Sequence, residues 1–252
     1  MRHSTTFLMS LIVASILVLM FLNLVLGSVS IPLKSVWNII CGLGDEPVTW
    51  QNIVWKSRLP QALTALVAGA GLAISGLQMQ TVFRNPLAGP SVLGISSGAS
   101  MGVAFVVLLS GSLGGVALSK LGFMGEIALS IAAVIGSLSV MALIVYVSQK
   151  VKGNVTLLII GVMIGYVANA VIGVLKFFSV EEDIRAYVIW GLGSFSRVSG
   201  NQMMLFVAIM AILIPLSFLL IKTLNLMLLG DGYARNLGLN IKRARLLVIT
   251  SA

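Results

Sequence analysis

Residues 155–178 read VTLLIIGVMIGYVANAVIGVLKFF. A helix needs about 20 predominantly apolar residues to cross the hydrocarbon core of a bilayer. This stretch meets that length, and its one charge, Lys176, lies near its end, where a long side chain reaches water. It therefore predicts a transmembrane helix, and it favours an all-α polytopic membrane fold.

Apolar runs of this kind recur along the chain. The predicted spans are 7–27, 59–82, 92–109, 126–148, 155–178 and 203–221, and a seventh begins at 246–252. The first predicted span follows a basic N-terminal stretch, but it is longer than the apolar segment of a usual signal peptide, so we interpret it as a retained span. The last run is too short to cross a bilayer. We therefore expect a single transmembrane domain over 1–252 that is truncated at its C-terminal end.

The composition indicates the same class of protein. The 252 residues are 58% hydrophobic and 9% charged, whereas about 25% of the residues of a soluble domain are charged. This balance excludes a soluble enzyme and a secreted disulfide scaffold. The net charge of +9 is spread thinly, which indicates membrane topology and no nucleic-acid partner. One histidine, His3, and one cysteine, Cys41, are too few for a disulfide or a zinc site.

The charged loops predict an orientation. If the N-terminus is cytoplasmic and the six spans alternate, Lys and Arg fall slightly more often on the cytoplasmic side, as the positive-inside rule requires. Residues 222–245 then form a cytoplasmic loop.

The middle of every predicted span lacks Asp, Glu, Lys, Arg and His. Ion-coupled transporters commonly place ionisable residues there, and channels show a filter or a charged constriction. A membrane-embedded enzyme would need a catalytic constellation that these spans do not contain. If the protein moves a solute uphill, we expect its energy source to lie in another subunit.

Small and polar residues recur inside three spans. They are Gln78 and Gln80 in the second, Gly94, Gly98 and Gly102 in the third, and Gly161, Gly165 and Asn169 in the fifth. Glycines at every fourth position allow close packing of helices, but they also suit a smooth pathway wall. The polar side chains suit either hydrogen bonds between helices or the same pathway.

The loop after the sixth span carries signals of a short helix. Asp231 is suited to cap a helix that begins at Gly232, and Gly238 is suited to end it. The apolar stripe of this helix consists of Leu229, Tyr233 and Leu237. The stripe suits a groove on a partner protein or the lipid headgroups.

Two other loops carry candidate residues. Asn85 and Pro86 predict a rigid cytoplasmic turn between the second and third spans. Lys56 and Arg58 precede the second span and follow Trp55. Two cations beside a tryptophan suit a lipid-interface anchor, or they suit carboxylates on a docking protein.

Several blocks of sequence, in order, resemble the FecCD-type (BtuC-like) permeases, which are membrane subunits of bacterial ABC importers for iron-siderophores, haem and cobalamin. The matching blocks are Arg58-Leu59-Pro60, 68–76 (AGAGLAISG), Gln80, Asn85-Pro86-Leu87-Ala88 with Pro90, 93–99 (LGISSGA), 190–196 (WGLGSFS), and Leu229-Gly230-Asp231 with Ala234-Arg235 and Leu237-Gly238. The resemblance runs from about Trp50 to the end of the chain.

The resemblance implies a ten-span permease in the bacterial inner membrane, paired with a second copy or a paralogue. It implies two ABC ATPase subunits on the cytoplasmic side and a periplasmic or lipid-anchored solute-binding protein on the other. The permease itself then needs no cofactor and catalyses no reaction, because ATP-Mg binds to the ATPase. An iron chelate is the expected substrate, with cobalamin in the same range.

The resemblance also implies roles by position. The residues that would couple to the ATPase are Leu229, Gly230, Asp231, Tyr233, Ala234, Arg235, Leu237 and Gly238. Lys56 and Arg58 would meet acidic residues on the binding protein, and the third and fifth spans would lie near the pathway. A helix over 181–187 and the segment from Trp190 to Ser196 would form a cap on the periplasmic side.

Other classes of function stay open at this stage. A truncated chain suits an inactive or non-transporting membrane fragment. A secondary transporter or a channel would need charged or filter residues that the six spans do not supply.

Overall fold

The structure is a computed structural model that describes residues 2–112, 123–151, 154–196, 198 and 200–252. These residues form helices joined by loops, with no strand in the described ranges, which confirms the all-α fold. The helices are α1 (Arg2–Val25), α2 (Leu33–Cys41), α3 (Val48–Ile53), α4 (Leu59–Phe83), α5 (Ile95–Ser112), α6 (Phe123–Lys150), α7 (Asn154–Phe177), α8 (Glu181–Gly191), α9 (Gly200–Phe218), α10 (Ile221–Leu228), α11 (Asp231–Asn236) and α12 (Ile241–Ser251). A π-helical turn, Val54–Arg58, joins α3 to α4, and a 3-10 turn, Pro90–Leu93, precedes α5.

Five apolar helices in the described ranges are long enough to cross a membrane. They are Thr5–Val25, Val48–Phe83, Ile127–Lys150, Val155–Phe177 and Gly200–Phe218. The second is the longest because α3, the π turn and α4 are continuous. The first and last of the five bury only 6% of their most apolar windows inside the chain, so almost all of their side chains are left for lipid or for other subunits.

The third predicted span, 92–109, is shorter in the structure, where its apolar helix is Ile95–Leu109. The reason is local. Gly94 has a positive φ of 75°, which ends the 3-10 turn and lets α5 begin at Ile95. A Cβ at Gly94 would lie 2.8 Å from the carbonyl oxygen of Gly161. Glycine is therefore required here both for the turn and for the close approach of α7.

One compact unit comprises Met1–Gly71 and Ser194–Ile212. Its core is formed by apolar side chains from the end of α1, from the loop that follows it, from α2, from the π turn and from the start of α4: Leu24, Ile31, Val36, Ile39, Val54 and Ala62. In α2 the buried residues Ser35, Val36 and Ile39 share one face, as expected for a short amphipathic helix. The helix ends at Gly42, whose positive φ of 67° forms a left-handed cap.

The second compact unit comprises Leu72–Gly193 and Leu213–Ala252. One of its cores brings α10 and α12 together with α4, through Leu224, Met227, Val248, Ile249 and Met79. The other packs α8 against α5 and α7, through Val103, Ala104, Val107, Leu108, Ile172 and Tyr187. The loop that contains α11 is therefore anchored by buried side chains on both sides.

Candidate functional site

The segment from α10 to α12 presents an apolar surface to the outside of the chain. Tyr233 is 73% exposed and Leu237 is 62% exposed, and Leu228 and Leu229 are also exposed. We call Leu228, Leu229, Tyr233 and Leu237 the α11 face. None of these four lies in one of the five apolar spans of the described ranges. Adjacent exposed apolar side chains of this kind mark an interaction site.

The inner side of α11 is held against its own unit. Ala234 is fully buried. The last residue of the helix is Asn236 and Leu237 is its C-cap, and Gly238, with a φ of 87°, follows as the C′ residue. The N–H groups of Gly238 and Leu239 donate to the carbonyls of Arg235 and Ala234. These two bonds form a Schellman motif. The sequence predicted that Gly238 terminates the helix, and the structure confirms this prediction.

The start of α11 differs from the prediction. Gly230, with a φ of 103°, is the N-cap residue, and no side chain caps the helix. Asp231 is instead the first helical residue, and its carboxylate accepts a hydrogen bond from Arg84. The predicted capping by Asp231 is therefore wrong, because the carboxylate is engaged by a cation from a distant part of the chain.

Sequence reasoning missed Arg84 as a candidate functional residue. Its Nη2 lies 2.5 Å from the Asp231 carboxylate and 3.4 Å from the carbonyl oxygen of Met227. Both groups of the ion pair are about 40% exposed. The only sequence signal was a cation at the end of an apolar span, and such a cation is usually a membrane-interface residue. Asn85 and Pro86 follow in a turn in which the Asn85 side chain accepts a hydrogen bond from the Leu87 N–H at 2.9 Å.

Arg58 is buried in the first unit and does not face solvent. It is 5% exposed, and its Nη1 donates to the carbonyls of Leu24 at 2.8 Å and Val25 at 2.7 Å. Its Nη2 donates to the carbonyl of Val29. These carbonyls lie at and just beyond the C-terminal end of α1, where helix carbonyls lack partners and a cation is favoured. Arg58 therefore caps α1 from a distant turn.

The π turn accounts for this inward direction. A π turn inserts an extra residue into a helix, and such turns recur at functional sites. Within the turn, Val54 and Arg58 are buried while Lys56 is exposed. Of the two cations that the sequence proposed for docking, Lys56 is thus the exposed one. The docking role of Arg58 stays a prediction, and its geometry here is that of a cap.

The glycines of the third span lie at contacts between helices. A Cβ at Gly98 would lie 2.7 Å from the Gly136 carbonyl oxygen, and one at Gly102 would lie 2.2 Å from the Ala132 carbonyl oxygen, both on α6. On α7, a Cβ at Gly161 would lie 2.9 Å from the Val92 carbonyl oxygen, and one at Gly165 would lie 3.3 Å from the Ser97 hydroxyl. Of the two interpretations of these glycines, the contacts favour packing.

The three polar span residues occupy different environments. Gln78 is buried, and its amide nitrogen donates to the Ser251 hydroxyl at 3.3 Å. Its amide oxygen is buried with no partner among the described residues. Gln80 and Asn169 are exposed. Because α7 is apolar around Asn169, an exposed amide at this depth needs a polar surrounding outside the chain.

Helix α8 carries the buried titratable groups of the second unit. Burial raises the pKa of the Asp183 carboxyl from its usual 3.8, and the neighbouring charge of Glu182 raises it further. Burial also raises the pKa of Tyr187, against a hydrogen bond with Ser100 that lowers it. The ammonium of Lys176 lies 4.9 Å from the centre of the Tyr187 ring, within cation–π range. These contacts hold α8 against α5 and α7.

Comparison with known proteins gives the family context. Residues 15–252 match the FecCD transport family. The chain is 34% identical to the hemin transport system permease protein HmuU of Yersinia pestis, over 90% of this chain and 65% of that protein. It is 36% identical to the vitamin B12 import system permease protein BtuC of Serratia proteamaculans, over 79% of this chain and 56% of that protein. An iron chelatin transport system permease protein of Helicobacter pylori is 37% identical over 78% of this chain.

The fold is also similar to a solved structure. It superimposes with a TM-score of 0.75 and 26% identity on a protein described as a metal-chelate type ABC transporter in an inward-facing conformation. The match covers 94% of this chain and 69% of that one. By contrast, the chain spans between 56% and 65% of the length of the three curated permeases named above.

Proposed function

The chain belongs to the FecCD transport family, and from this premise we propose that it is a membrane-spanning permease subunit of a binding-protein-dependent ABC importer. The substrate is an iron chelate, either a siderophore complex or haem, or else cobalamin. The chain itself catalyses no reaction. ATP-Mg is bound and hydrolysed in two partner ATPase subunits, and the assembly lies in the bacterial inner membrane with the N-terminus of this chain in the cytoplasm.

The proposal rests mainly on one observation about the α11 face. The α11 face is exposed outside the spans, while the helix beneath it is fixed by a fully buried Ala234 and a Schellman motif at Gly238. A small, rigid apolar surface of this kind fits into a groove of a partner protein as a helix-in-groove contact. ATP-driven closure of the ATPase dimer would move that groove, α11 would move with it, and the spans on either side would tilt between two conformations.

The other assigned roles follow from exposure. Lys56, exposed on the π turn, meets carboxylates of a solute-binding protein. Asn169, exposed on α7, faces the substrate pathway, which forms between this chain and a second permease copy or a paralogue. An amide in that position supplies hydrogen bonds to a chelate without adding a charge to the membrane interior.

The test is to place a carboxylate on the α11 face in the assembled transporter. Leu237→Asp and Tyr233→Asp would each bury an unpaired charge in the ATPase groove, which costs several kcal/mol. We expect the ATPase to be lost from the purified complex while membrane insertion is unchanged. Asn236→Asp is the matched control, because Asn236 is polar and exposed, so the same charge is added on the same helix without the replacement of an apolar side chain. Undiminished co-purification in both α11-face variants would refute the coupling assignment.

A further inference from the structure

We propose that the ion pair between Arg84 and Asp231 transmits the movement of α11 to the turn that joins α4 to α5. This inference rests on the proposed function, since it assigns a mechanical role to a contact of the same loop. The two residues are 147 positions apart in the chain, and their side chains meet at 2.5 Å. We therefore assign Arg84 a positioning role, which it exerts through its contact with Asp231.

The guanidinium of Arg84 contacts groups on both sides of Gly230. Its Nη2 reaches the carbonyl oxygen of Met227, near the end of α10, and the carboxylate of Asp231, at the start of α11. Gly230, with a φ of 103°, lies between those two groups. Only glycine adopts this positive-φ conformation readily, so Gly230 permits the change of chain direction between the two short helices. Arg84 thus bridges both sides of the point at which α11 would swing.

The backbone of Arg84 itself adopts an unusual conformation. Its φ of 48° is the one positive value at a non-glycine residue in the described ranges. The N–H groups of Arg84 and Asn85 donate to the carbonyls of Thr81 and Gln80, which is a Schellman motif with Arg84 at the position where glycine is usual. An arginine at this position is unfavourable for the backbone. Its presence therefore indicates a role for the side chain.

Arg84 lies directly after α4, so its displacement would move the turn that leads to α5. The following turn is closed by hydrogen bonds from the N–H groups of Leu87 and Ala88 to the side chain and the carbonyl of Asn85. Ala88 is buried, so the turn is held against its unit. It leads into the 3-10 turn Pro90–Leu93 and then to Gly94, which packs against α7. A pull on Arg84 would therefore reach the contact between α5 and α7.

The magnitude follows from the exposure of the pair. Exposed ion pairs contribute about 0.2–1 kcal/mol in double-mutant cycles. At 1.4 kcal/mol for each factor of ten, this corresponds to a change of about 1.4- to 5-fold in the balance between two conformations. We expect the loss of the pair to lower the amount of substrate transported per ATP hydrolysed within that range, because hydrolysis continues while the turn follows α11 less closely.

The experiment uses the assembled transporter in liposomes with its ATPase, its binding protein and a ferric siderophore, haem or cobalamin, whichever the wild type transports. The variants are Arg84→Gly, Asp231→Asn and the double variant. Arg84→Gly is informative because glycine improves the Schellman motif, so we expect its thermal stability and its ATPase association to be undiminished. Its transport per ATP should nevertheless fall, as should that of Asp231→Asn, and the double variant should be no worse than either single variant.

Two results would overturn the inference. One is Arg84→Gly with transport per ATP equal to that of the wild type. The other is a double variant whose defect is the product of the two single defects, because independent residues would behave in that way. Failure of the proposed function itself is distinguishable, since the wild-type chain would then neither retain an ATPase nor transport any of the three substrates.

Discussion

Replacing Arg58 by alanine tests whether this cation caps the C-terminal end of α1 or is available to bind a partner protein. In the structure its guanidinium donates to the carbonyls of Leu24, Val25 and Val29. Gly27 is part of the arrangement, since a Cβ there would lie 2.9 Å from Nη2 of Arg58. Arg58→Ala removes the donors and leaves these carbonyls at the end of a helix without partners.

The expected cost follows from the burial of the acceptors. Val29 is an exposed residue, so its carbonyl regains water after the substitution. Leu24 is buried and Val25 is half-buried, and a buried acceptor left unsatisfied costs about 1–3 kcal/mol. Water that enters the space vacated by the side chain reduces the penalty, and we expect a loss of about 2–4 kcal/mol in the free energy of unfolding.

The assay is thermal unfolding of the purified protein in detergent, with Lys56→Ala as the matched control. Lys56 is exposed on the same turn, so its replacement should change stability by less than about 0.5 kcal/mol. Gly27→Ala should lower the melting temperature in the same direction as Arg58→Ala, because the new methyl group displaces the guanidinium.

Binding of the solute-binding protein to the assembled transporter separates the two roles. We expect Lys56→Ala to weaken that binding without loss of stability. An Arg58→Ala variant that melts at the wild-type temperature but no longer binds the solute-binding protein would refute the capping argument, and it would support the docking role that the family resemblance implies.

Two further predictions concern the second unit. Gly102→Ala should destabilise the contact between α5 and α6 by about 1–3 kcal/mol, since the new Cβ would lie 2.2 Å from the Ala132 carbonyl oxygen. The control is Gly69→Ala, because a Cβ at Gly69 would meet no atom within 4 Å. Equal melting temperatures for the two variants would contradict the packing argument. Burial and the charge of Glu182 raise the pKa of Asp183 from 3.8, which means that the folded state favours the protonated carboxyl. The stabilising contribution of this group is therefore fully present below pH 3.8 and is lost as the pH rises through the raised folded-state pKa. Asp183→Asn should therefore be more stable than the wild type at neutral pH and should show less change in melting temperature with pH; a steeper pH dependence in the variant would disprove this.

The structure contains a short helix, α11, within the segment that the family resemblance marks for coupling, and the ion pair of this segment with Arg84 was not predicted. The block Leu229-Gly230-Asp231 was recognisable because it is contiguous in sequence, and Gly238 ends α11 by a rule that depends only on nearby residues. The role of Asp231 depended on Arg84, to which the sequence assigned no functional role. No local pattern predicts that a carboxylate will bind a distant guanidinium in preference to capping its own helix.

Helix lengths were predictable to the extent that they depend on composition. The predicted span 155–178 is the apolar helix Val155–Phe177, because an uninterrupted apolar stretch has no other way to satisfy its backbone in lipid. The start of α5 at Ile95 was not predictable from apolarity, because it depends on the left-handed Gly94 and on the proximity of α7. For the same reason, the choice between packing and pathway for the glycine stripes required the neighbouring helices.

Hydropathy and short-range capping rules were sufficient to establish a polytopic α-helical membrane protein with a short amphipathic helix after its last predicted full span. Both depend on the free energy of individual residues in lipid or water and on hydrogen bonds that close within one helical turn. Which cations are free to bind a partner was decided by the tertiary structure alone. Arg58 finds its acceptors 29 to 34 residues away and Arg84 finds Asp231 147 residues away, and at such separations only the packing of the helices determines which groups meet.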